Sequence, residues 1–426
     1  MLTGTRTIAH FDLDSFFVSV ECLKNKSLTG KPIAVGGHGD RGVITSCSYE
    51  ARKFGVTSAM PAKLARRLCP ELIIVKGDMD SYLQFSRYVT ALIAESVPLF
   101  EKASIDEFYI DMSGMDKFFG CAQYTSALRQ KIIRKSGLAI SYGLASNKLI
   151  SKVATNEAKP NGQIEVPFGT EKSFLAPLSI DKMPMIGKQT GALLKSIGLH
   201  TIGALSQMPM ETMIARLGKN GISLWRKANG IDETPVVASH EQKSIGTENT
   251  FQSDTADVPF LHRELTRMTE QVAFELRDNN RLTGCITIKI RYSDFQTFTK
   301  QAVVAYTCSD HILLQTVKQL FDKLYDKRFR VRLIGVRFSH LVPGNYQIQL
   351  FDDTYETISL YQAIDHIKHR FGEDKLIRVA GATFMSKKYQ EEKQQPATTV
   401  VEQPSIFGTA RLERKISLSN APHGRS

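Results

Sequence analysis

The stretch ASIDEFYIDMS, residues 103–113, decides how the chain is read. Ile105, Phe108, Tyr109 and Ile110 predict a buried β-strand over 103–112, yet Asp106 and Glu107 stand side by side within it. Successive strand residues point to opposite faces, so adjacent carboxylates cannot share a ligand from mid-strand. They can where the backbone bends, and the place for that bend is just after Ser104. A second apolar strand, IAHFD, closes on Asp12, with Asp14 projecting on the same side. If these strands are neighbours, three or four carboxylates converge. Such a cluster repels itself unless cations sit in it, and oxygen donors with no nearby His or Cys suit Mg²⁺ or Mn²⁺. Two such ions serve in-line phosphoryl transfer.

Outward from that stretch, strands and helices alternate, which predicts an α/β core. RTIAHFDLDSFF reads as a strand ending in acids, and VSVECL suits a helix. Residues 32–45 read as two short strands around the glycine-rich GGHGDRG, which lacks the G-K-[ST] ending of a phosphate loop. SYEARKFGV and MPAKLARRLCP read as helices stopped at Gly55 and before Pro70. Helices are predicted over 79–96, 121–136 and 146–158, the last capped by Ser146 and ended by Pro160, with a strand at 138–144. Residues 166–236 change to short helices punctuated by glycine, and a polar linker follows near 236–243.

Residues 244–341 read strand–helix–strand–strand–helix–strand. Leu261, Leu265, Met268, Val272 and Leu276 give the first helix one apolar face. In CITIKIR, Ile286, Ile288 and Ile290 face one way, with Lys289 and Arg291 on the other. RFRVRLIGVRF is expected to place Arg328, Arg330 and Arg332 on a common face. An apolar side under helices and a basic open side make a platform for a phosphate backbone. One more helix is allowed over 353–372, and from about 388 the chain reads as disordered.

A chain of 426 residues exceeds one compact core, and about three or four domains are expected. Its net charge of +12 favours a polyanionic partner. The excess is uneven: residues 21–76 hold ten Lys and Arg against four acids. Six scattered cysteines without a CxxC predict reduced thiols. With no signal peptide and no bilayer-length apolar run, a cytoplasmic protein is expected. Tyr49 and Arg52, three apart on one helix, reach a common spot. Ser46 sits just upstream, near the helix start, where N–H groups favour anions. Lys148, Lys152 and Lys159 fall roughly on one helical face. Together these groups outline a triphosphate cradle opposite a metal site.

HFDLDSFFVSVE, GVITSCSYEARKFGV, SIDEFYID and NEAKPNG, in this order, resemble the Y-family (translesion) DNA polymerases of the bacterial DNA polymerase IV type, over roughly residues 6–345. The resemblance implies a multidomain α/β and α+β right hand. Its parts would be a palm (1–21 and 77–165), small fingers (22–76), a helix–hairpin–helix thumb (166–236, with Gly187 and Gly198), a linker (237–243) and a βαββαβ little finger (244–345). A C-terminal extension (346–426) completes the chain. By the same resemblance Asp12, Asp106, Glu107 and the Leu13 carbonyl would hold two Mg²⁺ ions, Mn²⁺ substituting, with Asp14 not a primary ligand. Ser46, Tyr49, Arg52 and Lys159 would hold the incoming dNTP. Phe17, of the Phe16–Phe17 pair, would be the steric gate against a ribose 2′-hydroxyl.

Primer–template DNA is the implied partner, bound by a monomer. QIQLF (Gln347, Leu350, Phe351) and QPSIF (Gln403, Ile406, Phe407) resemble the peptide that docks on a β-type sliding clamp. Two other functions fit the same residues: a template-restricted nucleotidyl transferase, and a catalytically inactive DNA- or clamp-binding accessory.

Overall fold

A run that is apolar but for His10 and Asp12 makes β1 (Ile8–Leu13), all six residues of which are buried, as the centre of a sheet requires. Ser15, at φ 43°, turns the chain into α1 (Phe16–Lys24). A small three-stranded sheet follows. Its β2 (Ile33–Gly36) pairs antiparallel with β3 (Ile44–Cys47) and parallel with β4 (Ile73–Val75), while α2 (Tyr49–Arg52) and α3 (Ala62–Leu68) lie between β3 and β4. The chain returns through α4 (Met79–Ala94), β5 (Phe100–Lys102), β6 (Glu107–Asp111), α5 (Cys121–Ser136), β7 (Ile140–Ala145), α6 (Lys148–Ala158) and β8 (Gln163–Glu165). These strands form a five-stranded sheet in the order β5-β6-β1-β7-β8, with β1 antiparallel to both neighbours. The protein is a computed structural model that describes residues 6–37, 39–115, 120–344 and 355–372, with Leu376 and Arg378.

Alternation along β1 sorts the two faces of this sheet. Phe11 and Leu13 join Phe108, Ile110, Tyr82 and Ile132 in one apolar core with α4 and α5. His10 turns the other way, toward α6, where its Nδ1 meets the Thr155 hydroxyl at 2.8 Å. Gly143 in β7 lets α6 lie this close. A Cβ there would stand 2.3 Å from the Ser151 carbonyl oxygen and 2.7 Å from the Ala154 Cβ. Gly143→Ala is therefore expected to lower stability by about 1–3 kcal/mol, read as an earlier thermal melt of the purified protein; an unchanged melt would show that α6 yields freely.

Five short helices follow: α7 (Glu171–Leu175), α8 (Lys188–Ser196), α9 (Ile202–Gln207), α10 (Met210–Leu217) and α11 (Lys219–Ala228). Contacts divide the chain into two units, Met1–Lys243 with Thr250–Asp254, and Ser244–Asn249 with Thr255–Ser426. The second unit runs β9 (Ser244–Thr255), α12 (Val258–Asp278), β10 (Arg281–Tyr292), β11 (Thr297–Thr307), α13 (Asp310–Leu324) and β12 (Val331–Pro343), in the order read from the pattern, then α14 (Tyr355–Phe371). Its sheet has the order β11-β10-β12-β9. Ile286, Ile288 and Ile290 are fully buried, as is the apolar face of α12.

Three local expectations are corrected. The single strand over 103–112 is a hairpin, β5 and β6, with residues 103–106 as its turn. The cap of α6 is Asn147, whose side chain accepts from the Ile150 N–H, because the Ser146 hydroxyl is engaged by Glu171 at 2.6 Å. Arg328 and Arg330 share no strand face with Arg332, since β12 begins only at Val331. There the pairing also shifts register between Arg291 and Tyr292, and such a bulge breaks the two-residue alternation. All six cysteines are free and five are buried, Cys22 being half-buried. Among the described residues no helix is long and apolar enough to cross a membrane. Both clamp-like peptides, and the tail after 388, lie outside the described residues.

Candidate active site

The bend after Ser104 is built by Ser104 itself. Its hydroxyl accepts from the Glu107 N–H (3.0 Å) and donates to the Asp106 carboxylate (2.5 Å). The Asp106 carbonyl accepts from the Leu13 N–H at 3.1 Å, which ties the turn to the end of β1. Register completes the row: Asp12 pairs across with Glu107, His10 with Tyr109, and Tyr109 with Glu101. Asp12, Glu107 and Glu101 thus meet on the face that α6 covers.

α6 lays three ammoniums over this row. Lys148 meets Glu101 at 2.7 Å, Lys152 meets Glu107 at 2.7 Å, and Lys159, just past the helix, meets Asp12 at 2.5 Å. The lysine face expected from spacing exists, and its partners are the carboxylates of the sheet. Among the described residues no three acidic, imidazole or thiol groups form a closed metal-holding set. Burial raises the Asp12 carboxyl to about 7, against the opposing pull of Lys159, and Glu107 and Asp106 push it further the same way. A buried acid beside two others calls for cationic charge, and a set of oxygen donors fits a hard divalent ion.

Asp14 turns away from the row. Its carboxylate accepts from the Ser141 hydroxyl (2.9 Å), the Asn161 N–H (2.7 Å) and the Tyr49 hydroxyl (3.2 Å). Tyr49 and Arg52 do share a spot, the guanidinium lying 4.7 Å from the centre of the Tyr49 ring. Burial and the Asp14 carboxylate push the Tyr49 phenol up, so it stays a donor. Ser46 is not at a helix start: it lies in β3 opposite Val35, and the one-turn α2 is capped by Ser48. Phe16 is core at 2% exposure, whereas Phe17 is half-buried and stacks on Tyr82, centroids 4.3 Å apart and planes at 12°. Tyr82 is in turn held by a 2.7 Å hydrogen bond to Glu21. Neither Tyr82 nor Glu101 was singled out by sequence reasoning, because each reads as an ordinary residue of its own element.

In the second unit Lys289 pairs with Glu248 at 2.8 Å, and Arg291 donates to the Thr297 hydroxyl. Arg328 pairs with Asp326, Arg330 is exposed, and Arg332 lies over the Phe295 ring at 4.4 Å. The exposed Arg337, missed in the sequence though it alternates with buried Val336 and Phe338, stands across from Thr287. Lys289, Arg337 and Thr287 line a depression of about 370 Å³ on the open face of the sheet. Thr287 is 6% exposed, and its hydroxyl has no hydrogen-bond partner among the described residues.

Paired acids on a five-stranded sheet, a small neighbouring sheet and a βαββαβ unit are the parts of a Y-family DNA polymerase. A solved Y-family DNA polymerase chimera is similar at a TM-score of 0.70 and 26% identity, covering 79% of this chain and all of that one. The impB/mucB/samB family matches residues 11–156, and its C-terminal domain matches 242–350. Among curated relatives, the DNA polymerase IV of Dehalococcoides mccartyi (strain CBDB1) is 38% identical over 371 residues, which is 86% of this chain and 95% of the relative. That of Methanoculleus marisnigri is 37% identical over 351 residues (81% and 97%), and that of Streptococcus pneumoniae serotype 2 is 35% identical over 338 (78% and 96%). The chain belongs to the DNA polymerase IV family, whose members are DNA-directed DNA polymerases that use divalent metal ions.

Proposed function

We propose that this DNA polymerase extends a primer 3′-hydroxyl with dNTPs opposite damaged template bases, with Asp12, Asp106, Glu107 and the Leu13 carbonyl as holders of two Mg²⁺ ions, Mn²⁺ substituting. One observation carries the reading: β1–β6 register sets Asp12 against Glu107 while the Ser104 turn brings Asp106 to the end of β1. When bound, the ions would steady the attacking and leaving oxygens of an in-line displacement. Lys159 and Lys152 pair with Asp12 and Glu107 otherwise, and Lys159 would turn from Asp12 to a phosphate. Tyr49, Arg52, Ser46 and Lys159 would hold the triphosphate, and the ring of Phe17 would bar a 2′-hydroxyl by overlap.

The domain bounds follow the family: palm 1–21 and 77–165, fingers 22–76, thumb 166–236, linker 237–243, little finger 244–345. The thumb around Gly187 and Gly198 would hold phosphates through backbone N–H groups. Lys289, Arg291, Arg328, Arg330 and Arg332, joined by Arg337, would meet the duplex backbone without reading sequence. A short-fingered site of this kind tolerates distorted templates at low fidelity. The protein would act in the cytoplasm as a monomer, docked on a sliding clamp through QIQLF or QPSIF.

Primer extension opposite each of the four templating bases tests this. Complementary incorporation at every base, abolished by Asp106→Ala, is expected; one preferred nucleotide whatever the template, or DNA binding with no extension, overturns it. On the little finger, the pair Lys289→Ala/Arg337→Ala is expected to flatten the slope of log affinity against log salt by about 2, measured by fluorescence anisotropy on duplex DNA. An unchanged slope would remove both from the phosphate contacts.

A further inference from the structure

In the second unit, the turn between β10 and β11 holds a large apolar ring out in solvent. Phe295 sits at φ 68°, a left-handed conformation that suits Gly or Asn and that a bulky aromatic adopts only under constraint. Backbone hydrogen bonds impose it: the Phe295 N–H donates to the Tyr292 carbonyl and the Tyr292 N–H to the Gln296 carbonyl, each at 3.0 Å. The ring is 62% exposed, so burial does not offset the strain. A second irregularity brings a cation to the same place. Arg291 stands opposite Leu333 and Tyr292 opposite Val331, which makes Arg332 the bulged residue of β12, and a bulge re-aims the side chain it carries. Its guanidinium lies 4.4 Å from the centre of the Phe295 ring. With one face under that group, the exposure belongs to the opposite face and the edge. The Ser293 N–H ties this turn to residues 326–332 by donating to the Arg330 carbonyl at 3.0 Å. There Phe329, also exposed, packs on Tyr292 with ring centres 5.5 Å apart. Residues 291–298 and 326–332 together carry five cations against the carboxylates of Asp294 and Asp326, and Arg328 already engages Asp326 at 2.6 Å.

We propose that this turn binds single-stranded DNA, the form of a template ahead of the primer end, with one base stacked on the open face of Phe295 and the surrounding guanidiniums on the flanking phosphates. An exposed ring with cations about it matches that ligand, which offers both a flat apolar face and charge. A duplex does not, because its bases present edges and keep their faces to one another. Stacking is indifferent to sequence, as a polymerase that copies any template requires. The inference rests on the reading that these arginines meet DNA phosphates, and adds which form of strand they meet.

The test uses the full chain and three fluorescein-labelled ligands, read by anisotropy at about 200 mM salt, where phosphate attraction is muted. They are an oligothymidylate of about twelve nucleotides, an abasic strand of equal length and a duplex of equal length. Phe295→Asn removes the ring with a residue type that accepts a positive φ. It is expected to weaken the oligothymidylate about tenfold, to leave the abasic strand and the duplex unchanged, and to melt no earlier than the wild type. Phe295→Trp is expected to restore the affinity, and its added indole emission should be quenched by the oligothymidylate and not by the abasic strand. Equal weakening of all three ligands, unchanged oligothymidylate binding, or an indole blind to it overturns the stacking site. An earlier melt of Phe295→Asn with all three affinities kept makes the ring a structural plug and overturns it too. Failure of the wild type to bind any of the three removes the DNA reading of these arginines and the site with it, whereas duplex binding without the stacking signature removes the site alone.

Discussion

Asp12→Asn is expected to melt later than the wild type above pH 7 while extending primers at least about 10³-fold more slowly. Both effects have one cause. Burial, with Glu107 and Asp106 beside it, raises the Asp12 carboxyl from 3.8 to about 7. Between those values the folded protein holds a proton that the unfolded chain has released, so stability is full below pH 4 and falls as pH rises through the window. An amide stands in for the protonated acid at every pH and escapes that loss. The gain over wild type should therefore be near zero at pH 4, grow to pH 7 and level off. Thermal melts across this range in a chelator measure it, and parallel curves for the two proteins would refute it. Mg²⁺ should raise the melting temperature of the wild type and not of the variant, because the ion relieves the same repulsion.

Phe17→Ala is expected to lower discrimination against ribonucleotides by about 10–100-fold, read as the ratio of kcat/KM for dNTP to that for rNTP. Forcing an extra group into a filled space costs about 1–3 kcal/mol, and each 1.4 kcal/mol is tenfold. The ring can exclude only if it cannot move aside. It is stacked on Tyr82, and Tyr82 is anchored to Glu21. Tyr82→Leu keeps the gate but removes its brace, and should give an intermediate loss. Equal discrimination in wild type and Phe17→Ala would transfer the gate elsewhere; Phe16, buried in the core, is no candidate because it cannot reach a ligand.

Much of this molecule is legible before folding. Short-range periodicity determined the helix over 121–136 to the residue, the βαββαβ order of the second unit and the inward faces of α12 and β10, because burial repeats at 3.6 or 2 residues whatever the neighbours. It also located the bend at Ser104, since two adjacent acids in an apolar strand leave few other solutions. Tertiary structure alone decided what each charge meets. Lys148, Lys152 and Lys159 are spaced as one face in the sequence, yet only the approach of α6 over Gly143 makes Glu101, Glu107 and Asp12 their partners. The cap of α6 passed to Asn147 because Glu171, distant in sequence, engages Ser146. The arginines before β12 left the common face because a bulge is set by pairing with β10. Local pattern carries which way a side chain points; its partners, and hence its charge state, come from chain segments far away in sequence.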